Sequence, residues 1–490
     1  MDGDTISAKR SRIVIIGGGF SGSLFAIKLA AADPLADIVL VERNEIAGHG
    51  LAYGACQPIH LLNVPVHRME LGLAPSFTNW LTSHAPAELD AVLEEAGGEL
   101  AQAFVSRAAF GAYLRERLEA ATARNGGTGI RRVRGEAVGL SEQPERAVLL
   151  ADGRSLPADR VILATGNLPP KAPRSRDDWF YDSPLFVGDP WAASALSSVP
   201  DDGAVLLIGT GLTMVDVALA LTETGHSGPI LALSRRGLLP KAHRAGGHWA
   251  PFLDEAMTAT PLRAMKAVRA QAAEAEAAGI PWQRVMDAAR PAVARVWSGW
   301  NERQRASFLR HARPYWDVHR HRMAPRIAAG LDALLSSGRL GVQAGRLRGF
   351  HEADGRVTVT IGRRGQFRTE QRDFARVINC TGPRSDFDTI GLPLYAALRE
   401  RGHIKADALG LGIETADCAI IDRSGTGSRW LHALGPLTRP AWWEVTAVPE
   451  IAAQVARLVD ELARADRGEP EDLLTRTALA TEFFDLGAGI

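Results

Sequence analysis

With 490 residues the chain is long enough for two or three domains, and its 56 basic and 56 acidic side chains leave no formal net charge at pH 7. That balance favours neither nucleic acid nor a membrane as a partner, and no apolar stretch approaches the roughly 20 residues of a membrane span, so we expect the cytoplasm. Cys56, Cys380 and Cys418 lie far apart, which argues against a zinc site, a disulfide set or a redox dithiol, and no metal is predicted.

The first recognisable element is a glycine-rich turn between a strand and a helix. Residues 13–22, IVIIGGGFSG, place Gly17, Gly19 and Gly22 after an apolar β-branched run, and the next segment has a helical pattern. Gly17 permits the tight turn, Gly19 lets a pyrophosphate approach the backbone, and Gly22 lets helix and strand pack closely. The spacing predicts a dinucleotide site, with a glycine-rich turn of another α/β fold as the alternative.

A second strand supplies the residue that would bind a ribose. The stretch 38–43 ends in Glu42 and Arg43, and Glu42 stands about 20 residues past the last glycine, where this motif places an acid. A carboxylate accepts from a ribose hydroxyl and repels a 2′-phosphate, so the first site suits FAD. We take Glu42 and Arg43 as candidate FAD-binding residues.

Helical and strand patterns then follow one another. Residues 87–122 are helical in pattern, 131–160 form short strands, and 161–167, VILATGN, form a closing strand. Thr165 and Gly166 end that strand. They are candidate cofactor contacts.

At residue 205 the pattern begins again. The stretch 205–216, VLLIGTGLTMVD, contains a strand, then Gly209 and Gly211, then the start of a helix with Thr213 as a further candidate contact. Met214 occupies the third glycine position, so this copy is imperfect.

The second copy differs at the end of its second strand. Strand 230–237 ends in Ser234, Arg235 and Arg236, and the two arginines would attract a 2′-phosphate by charge-assisted hydrogen bonds. NADPH is therefore favoured. NADH remains an alternative cofactor, because arginines at the end of a strand are also commonly solvent-exposed without binding a ligand.

The second copy also has its own closing strand. Short strands over 343–376 lead into 377–383, VINCTGP, which corresponds to VILATGN. One module thus occurs twice, and two copies in one chain predict two dinucleotides bound face to face.

Between these parts lies an insertion, about 252–335, that is too long for a connecting loop. Helices are predicted at about 261–278, 282–298 and 301–312, with Thr260 capping the first. We expect a helical subdomain that covers or shapes the substrate site.

The end of the insertion, 308–325 (FLRHARPYWDVHRHRMAP), is rich in His and Arg. It could be a solvated basic face, a structural Asp/Arg/His network, or an anion site. A metal site is disfavoured, since His319 and His321 do not share a helix face. Arg320 and Arg322 are the candidate substrate-binding residues.

A last amphipathic helix is predicted at about 449–464, with Thr446 as its cap. A helix N-terminus aimed at the pyrimidine edge of a flavin would stabilise negative charge during reduction. The alternative is an ordinary capped helix packed on the sheet.

Four stretches together resemble the HpyO/CreE-type family of bacterial FAD/NAD(P)-binding flavoprotein monooxygenases, which includes an FAD-dependent urate hydroxylase and a nitrosuccinate-forming aspartate monooxygenase. They are GGGFSG (17–22), GLAYG with HLLNVP (50–65), the 308–325 segment and WWEVTAVPEI (442–451). The first is common to many dinucleotide-binding proteins. The other three are specific to the family.

The resemblance implies an α/β fold of two Rossmann-like dinucleotide-binding domains, for FAD and NAD(P), with a helical insertion. The FAD domain would combine residues 1–196 with 376–490, and the NAD(P) domain would span 197–375. It also implies hydroxylation by a flavin C4a-hydroperoxide: NAD(P)H reduces FAD, O2 adds at C4a, and the distal oxygen passes to the substrate.

The resemblance also suggests individual site residues. Asn63 in HLLNVP matches an asparagine close to the flavin edge in related monooxygenases, which makes it the candidate catalytic residue; a turn residue is the alternative. Gly435 matches a glycine that contacts FAD, but Pro436 replaces the usual acid after it and puts that contact in doubt.

The predicted function is an FAD-dependent, NAD(P)H-driven monooxygenase of a small polar or anionic substrate. Urate is the leading guess, because Arg313, Arg320 and Arg322 could bind its monoanion. The alternatives are N-oxygenation of an amino acid such as aspartate, an NAD(P)H:acceptor oxidoreductase without oxygen insertion, and a binding or sensing flavoprotein. The expected partners are a small-molecule substrate and O2, and a homo-oligomer stays open.

Overall fold

The computed structural model describes residues 11–123, 129–192 and 194–466. The elements of its first part are β1 (Arg12–Ile16), α1 (Phe20–Ala32), β2 (Asp37–Glu42), α2 (Gly50–Gly54), α3 (Phe77–His84), α4 (Leu89–Glu95), α5 (Arg107–Ala123), β3 (Ile130–Arg134), β4 (Ala137–Ser141), β5 (Ala147–Leu150), β6 (Ser155–Pro157) and β7 (Arg160–Leu163). β1 and β2 pair in parallel and are almost entirely buried and apolar, because both faces of their sheet are covered.

The middle of the chain forms the second module and the insertion. Its elements are β8 (Phe186–Val187), β9 (Val205–Ile208), α6 (Leu212–Glu223), β10 (Ile230–Ser234), α7 (Glu255–Thr258), α8 (Pro261–Ala277), α9 (Trp282–Ala289), α10 (Val293–Gly299), α11 (Glu302–His311), α12 (Arg313–Arg320), α13 (Pro325–Ser336), β11 (Leu340–Ala353), β12 (Arg356–Arg363), β13 (Thr369–Phe374) and β14 (Arg376–Asn379). The sheet order is β13-β12-β11-β10-β9-β14-β8. β11 begins parallel to β10 and then turns back through β12 and β13.

The last part completes the first sheet. It contains α14 (Pro393–Glu400), β15 (Thr415–Ala416), β16 (Ala419–Ile421), β17 (Gly427–Ala433) and α15 (Val448–Asp466). Because β17 pairs in parallel with β7, the first sheet has the order β15-β16-β17-β7-β1-β2-β3, and β4, β5 and β6 form a separate antiparallel sheet. The first sheet therefore joins both ends of the chain, and the predicted α/β fold with two Rossmann-like domains is confirmed.

The second sheet extends beyond the range 197–375 at both ends. β8 precedes residue 197 and β14 follows residue 375, yet the two strands pair with each other, and β14 also pairs with β9. In each module the closing strand lies beside the first strand, β7 beside β1 and β14 beside β9. The chain thus enters the second sheet before β8 and leaves it after β14.

Two predicted helices differ from those observed. The region 87–122 is interrupted between α4 and α5, where Gly97 and Gly98 adopt positive φ. The helix at 282–298 is broken into α9 and α10 by a short 3-10 turn at Pro291, which lacks the N–H that a helix interior needs. The sequence also does not predict α12 and α13.

The two predicted caps have different outcomes. The hydroxyl of Thr260 accepts the N–H of Arg263 at 3.3 Å, so Thr260 caps α8 as predicted. The prediction that Thr446 caps α15 is wrong. The carbonyl of Ala447 accepts the first helical N–H, from Ile451, which places Thr446 one residue before the cap position and exposed.

Each sheet lies between other layers. One face of the first sheet packs against α1, α5 and α15, and the other against α14 and the three-stranded sheet. The second sheet packs against α6 and α13 on one face. The insertion has its own small aromatic core, where Trp297 stacks on Trp443 of the C-terminal segment with ring centroids 4.7 Å apart. The insertion is thereby held against the first domain.

Candidate active site

The first glycine-rich turn leaves the N-terminus of α1 uncapped. Gly17 has a φ of +111°, and a Cβ there would overlap the carbonyl oxygen of Ala164, so only glycine fits. A Cβ at Gly22 would overlap the carbonyl oxygen of Gly17. Gly19 is the N-cap residue of α1, and no side chain caps the helix. Its first N–H groups are therefore available to an anion.

The second turn repeats this geometry. Gly209 has a φ of +121°, and a Cβ there would overlap the carbonyl oxygen of Cys380, which corresponds to Ala164. Gly211 is the N-cap residue of α6, again without a side-chain cap. Thr213 is half-buried in the first turn of α6, and Met214 is fully buried in the apolar core. The internal repeat predicted from the sequence is present in three dimensions.

The strand ends beside the two turns present different chemistry. Oε2 of Glu42 accepts the N–H of Gly18 at 2.8 Å, so the carboxylate borders the first turn. The hydroxyl of Ser234 lies 2.8 Å from that of Thr210 and borders the second turn in the same way. Arg43 is exposed beyond Glu42. The first turn thus faces a carboxylate and the second faces a neutral hydroxyl.

The two arginines after Ser234 are in different environments. Arg235 is exposed and makes no polar contact with any described residue. Arg236 donates to the hydroxyl of Tyr315 at 3.2 Å and to the carbonyl of Arg310 at 3.1 Å. The insertion therefore engages Arg236 and leaves the Arg235 guanidinium available for a phosphate.

Thr165, Gly166 and Gly435, three of the remaining expected FAD contacts, lie around the first turn. The hydroxyls of Thr165 and Tyr395 share a hydrogen bond, and Gly166 follows with a φ of +68°. Gly435 has a φ of +73°, and a Cβ there would lie 2.7 Å from Oγ of Ser21 in α1. Gly435 therefore lies against the start of α1. Thr446 precedes α15.

Asn63 lies where the two modules meet. Its carbonyl accepts a hydrogen bond from Nε2 of His243 at 2.9 Å, and its half-buried side chain makes no hydrogen bond with a described residue. Burial, and next the charge of Arg322, lower the pKa of His243 to about 3, so the ring is neutral at pH 7. The Asn63 amide is thus free to contact a ligand, and its backbone is held from the second module.

A buried ion pair joins the two modules. Arg107, at the start of α5, pairs with Asp216 of α6, with 2.9 Å between Nη1 and Oδ2 and 3.1 Å between Nη2 and Oδ1. Nε2 of His60 lies 3.3 Å from the carbonyl oxygen of Asp216. Since breaking a buried pair costs about 3–5 kcal/mol, this pair fixes α6, and the turn before it, against the first domain.

The 308–325 segment forms the end of α11 and all of α12. Arg320 pairs with Glu444 at 3.2 Å and with Glu450 at 3.4 Å, and Arg322 pairs with Asp287. Both arginines are buried. The contacts of Arg320 form a structural network between the insertion and the C-terminal segment, whereas the Arg322–Asp287 pair lies within the insertion. The role of Arg320 and Arg322 as substrate-binding residues stays a prediction.

The ion pairs join into a larger group, which we call the arginine cluster. It consists of Arg68, Arg284, Arg290, Arg320 and Arg322 with Asp287, Glu444 and Glu450. Burial acts to raise the pKa of Glu450, but the charge and hydrogen bonds of Arg290 outweigh burial and lower it to about 2. Glu450 is thus a carboxylate at every pH at which the protein would be used.

Arg68 is one of the members that sequence reasoning did not single out, since of these members only Arg320 and Arg322 were predicted as site residues. It lies in a 3-10 turn, Val66–Met69, and its guanidinium is 3.6 Å from the carboxylate of Asp287. The available signal was its position in HLLNVPVHRM, five residues after Asn63. That proximity places a cation on the segment that carries the expected catalytic residue.

The described residues provide neither a grouped set of metal ligands nor a disulfide. Among residues 11–123, 129–192 and 194–466, no three His, Cys, Asp or Glu side chains are grouped so that they could hold a metal ion. Cys56, Cys380 and Cys418 are free cysteines. None of the described helices combines the length and apolarity that crossing a membrane needs.

Known proteins resemble the chain in two ways. The sequence profile of a family described as FAD-NAD(P)-binding matches residues 14–168, about a third of the chain and the part that contains the first turn. No curated protein matches the sequence. The family assignment therefore covers the first module alone.

Solved structures share the fold over nearly the whole chain. L-lysine 6-monooxygenase from Pseudomonas syringae is 16% identical, with a TM-score of 0.63 over 94% of this chain and 100% of that one. Ornithine N-hydroxylase from Kutzneria sp. 744, with reduced FAD, NADP+ and L-ornithine, is 12% identical, with a TM-score of 0.62 over 92% and 99%. The cadaverine monooxygenase of Erwinia amylovora, bound to FAD, is 13% identical, with a TM-score of 0.61 over 94% and 96%. At these identities the likeness shows the fold alone.

Proposed function

We propose that the protein is an FAD-dependent, NADPH-driven monooxygenase that oxygenates the nitrogen of a small amine or amino acid. The observation that carries the proposal is the pair of matching, uncapped glycine turns at the starts of α1 and α6. Each turn offers free N–H groups to a pyrophosphate. Two such turns in one chain suit an enzyme that passes a hydride from one dinucleotide to another.

The residues beside each turn assign the cofactors. FAD fits the first turn, where Glu42 can accept from a ribose hydroxyl and Gly435 lies against α1. NADPH fits the second, where Ser234 adds no negative charge and Arg235 is free for a 2′-phosphate. FAD, when bound, supplies the electron transfer and oxygen activation that no side chain can provide.

The protein's own part is positioning and the exclusion of water. Asn63 offers an amide to the flavin edge or the nicotinamide, and the His243 hydrogen bond at 2.9 Å keeps its backbone in place. The insertion covers the junction of the modules and is held there by Arg290, which forms two hydrogen bonds to Glu450 at 2.6 and 2.7 Å. A covered site protects a reactive oxygen species from water.

The choice of nitrogen over urate follows from the comparisons. The proteins of similar structure are named as monooxygenases or hydroxylases of lysine, ornithine and cadaverine, all of which carry amines. Urate hydroxylation, expected from the sequence resemblance, receives no support from them. The proposed reaction consumes NADPH, a proton and O2; one oxygen atom enters an N–H bond of the substrate and the other leaves as water.

The test is NADPH oxidation by FAD-loaded protein with a panel of L-aspartate, L-ornithine, L-lysine, cadaverine and urate. We expect an amine to accelerate NADPH oxidation and to yield an N-hydroxylated or further oxidised product in matching amount. Urate loss coupled to NADPH oxidation would refute nitrogen as the target. NADPH oxidation that proceeds only with a dye acceptor, without oxygenated product, would refute the monooxygenase assignment.

A further inference from the structure

The arginine cluster carries more positive than negative charge. Its five arginines share three carboxylates, so the described members carry two more positive than negative charges. Removing a cation from water without a counter-charge is costly. A small anion bound at the cluster would neutralise part of this excess.

Arg68 is the member whose guanidinium donors are all unused. The other four arginines each form at least one hydrogen bond to a described residue, but the Arg68 guanidinium forms none. Its nearest carboxylate is Asp287 at 3.6 Å, which already pairs with Arg284 and Arg322. The Arg68 side chain is 22% exposed, so a small ligand can reach it.

The electrostatic environment agrees with this geometry. The pKa of Arg68 is lowered to about 10, chiefly by burial and further by the charges of three other arginines, and Asp287 only partly offsets this. For Arg290 burial also lowers the pKa, but its pairing with Glu450 outweighs burial and raises it. The neighbouring carboxylate thus compensates for burial at Arg290 but does not do so at Arg68.

The cluster also borders the expected chemistry. The charges of Arg68, Arg322 and Asp287 all act on the ring of His243, which is hydrogen-bonded to the carbonyl of Asn63. Asn63 and Arg68 belong to one short segment. An anion at Arg68 would therefore lie close to the Asn63 amide.

We propose that Arg68 binds a carboxylate of the substrate, so that the substrate of this site is an amine that also carries a carboxylate. The inference rests on the proposed function and narrows it to amino acids, to the exclusion of diamines. The same excess of positive charge would lower the pKa of a substrate ammonium. It therefore favours the neutral amine, whose lone pair is the nucleophile towards the transferred oxygen.

The experiment is equilibrium binding to FAD-loaded protein, read from flavin absorbance. Succinate is the probe, because it offers carboxylates and no amine, and putrescine is the carboxylate-free probe of equal length. The variants are Arg68→Gln and Arg68→Lys. Arg326→Gln is the matched control, since Arg326 also joins the insertion to the first domain, but through Glu95 at the exposed surface.

We expect succinate to bind the wild type and the control equally, and Arg68→Gln to bind it about tenfold or more weakly, the usual loss for a hydrogen bond to a charged group. Arg68→Lys keeps the charge, so it should recover part of the affinity, which a folding defect would not allow. Unchanged succinate affinity in Arg68→Gln, or preference for putrescine over succinate in the wild type, would overturn the inference.

Binding without turnover separates this inference from the proposed function. Succinate binding that depends on Arg68, in a protein that oxygenates no amine, would support the anion site and refute the monooxygenase. N-oxygenation of cadaverine at full rate in Arg68→Gln, with no succinate binding by the wild type, would support the monooxygenase and refute the carboxylate site.

Discussion

Gly211 offers the clearest test of the second dinucleotide site, because a Cβ there meets no protein atom within 4 Å. Gly211→Ala therefore adds a methyl group that the protein itself can accommodate. As the N-cap residue of α6 it should lose no more than about 1 kcal/mol of folding free energy. The same methyl would stand between a pyrophosphate and the free N–H groups of α6. Losing one hydrogen bond to a charged group costs about 1.5–3 kcal/mol, or roughly ten- to a hundredfold in Kd.

The assay is stopped-flow reduction of bound FAD by NADPH, over a range of NADPH concentrations, with dithionite reduction as the measure of an intact flavin site. We expect Gly211→Ala to retain FAD and to be reduced by dithionite like the wild type. By the estimate above, the variant should need a ten- to hundredfold higher NADPH concentration to reach half of its maximal reduction rate. Gly299→Ala is the control, since its Cβ would also meet nothing within 4 Å, at the end of α10. A normal NADPH dependence in Gly211→Ala would show that no dinucleotide approaches this turn.

Three further predictions concern charge. Arg235→Gln should raise the KM for NADPH about tenfold and leave the KM for NADH unchanged. Arg236→Gln should leave the ratio of the two KM values unchanged. Steady-state kinetics with both nucleotides measures these values. Glu450→Gln should lower the free energy of unfolding, measured in urea, by about 3–5 kcal/mol, because Arg290 is left buried and unpaired. Glu95→Gln at the surface should lower the same free energy by less than about 1 kcal/mol. Because the pKa of Glu450 is lowered to about 2, its contribution is full above the unfolded-state pKa of about 4.3 and is lost as pH falls towards 2. Acid titration of stability should therefore show a loss in this window that Glu450→Gln lacks.

The glycine turns could be predicted from the sequence because their causes are local. Gly17 and Gly209 are required by a positive φ and by a carbonyl oxygen of the closing strand, and both requirements act within one repeated module. Met214 marks the one local departure, and the structure accommodates it in the apolar core. Spacing along the chain therefore carried the information on the two repeated modules.

The cluster could not be predicted in the same way. Arg68 meets Asp287 only because a turn of the first domain lies against α9 of the insertion, and no periodicity encodes that contact. Arg235 and Arg236 are equivalent in sequence, yet Tyr315 of α12 engages only Arg236. The sequence indicated which residue types are unusual. Only the arrangement of separate segments shows which of those residues already have partners.

The segment from Asn63 to Arg68 links the two parts of the proposed reaction. Asn63 is held by His243 of the second module, and Arg68 faces Asp287 of the insertion. One short turn of the first domain therefore contacts both the second module and the insertion. A substrate carboxylate bound at Arg68 would neutralise charge that the protein leaves unpaired. Binding would therefore strengthen the contact between the insertion and the first domain. A ligand that binds the folded protein and not the unfolded chain raises the free energy of unfolding. We expect succinate to raise the unfolding temperature of the FAD-loaded wild type and to have no such effect on Arg68→Gln. An equal rise in both would place the bound anion elsewhere.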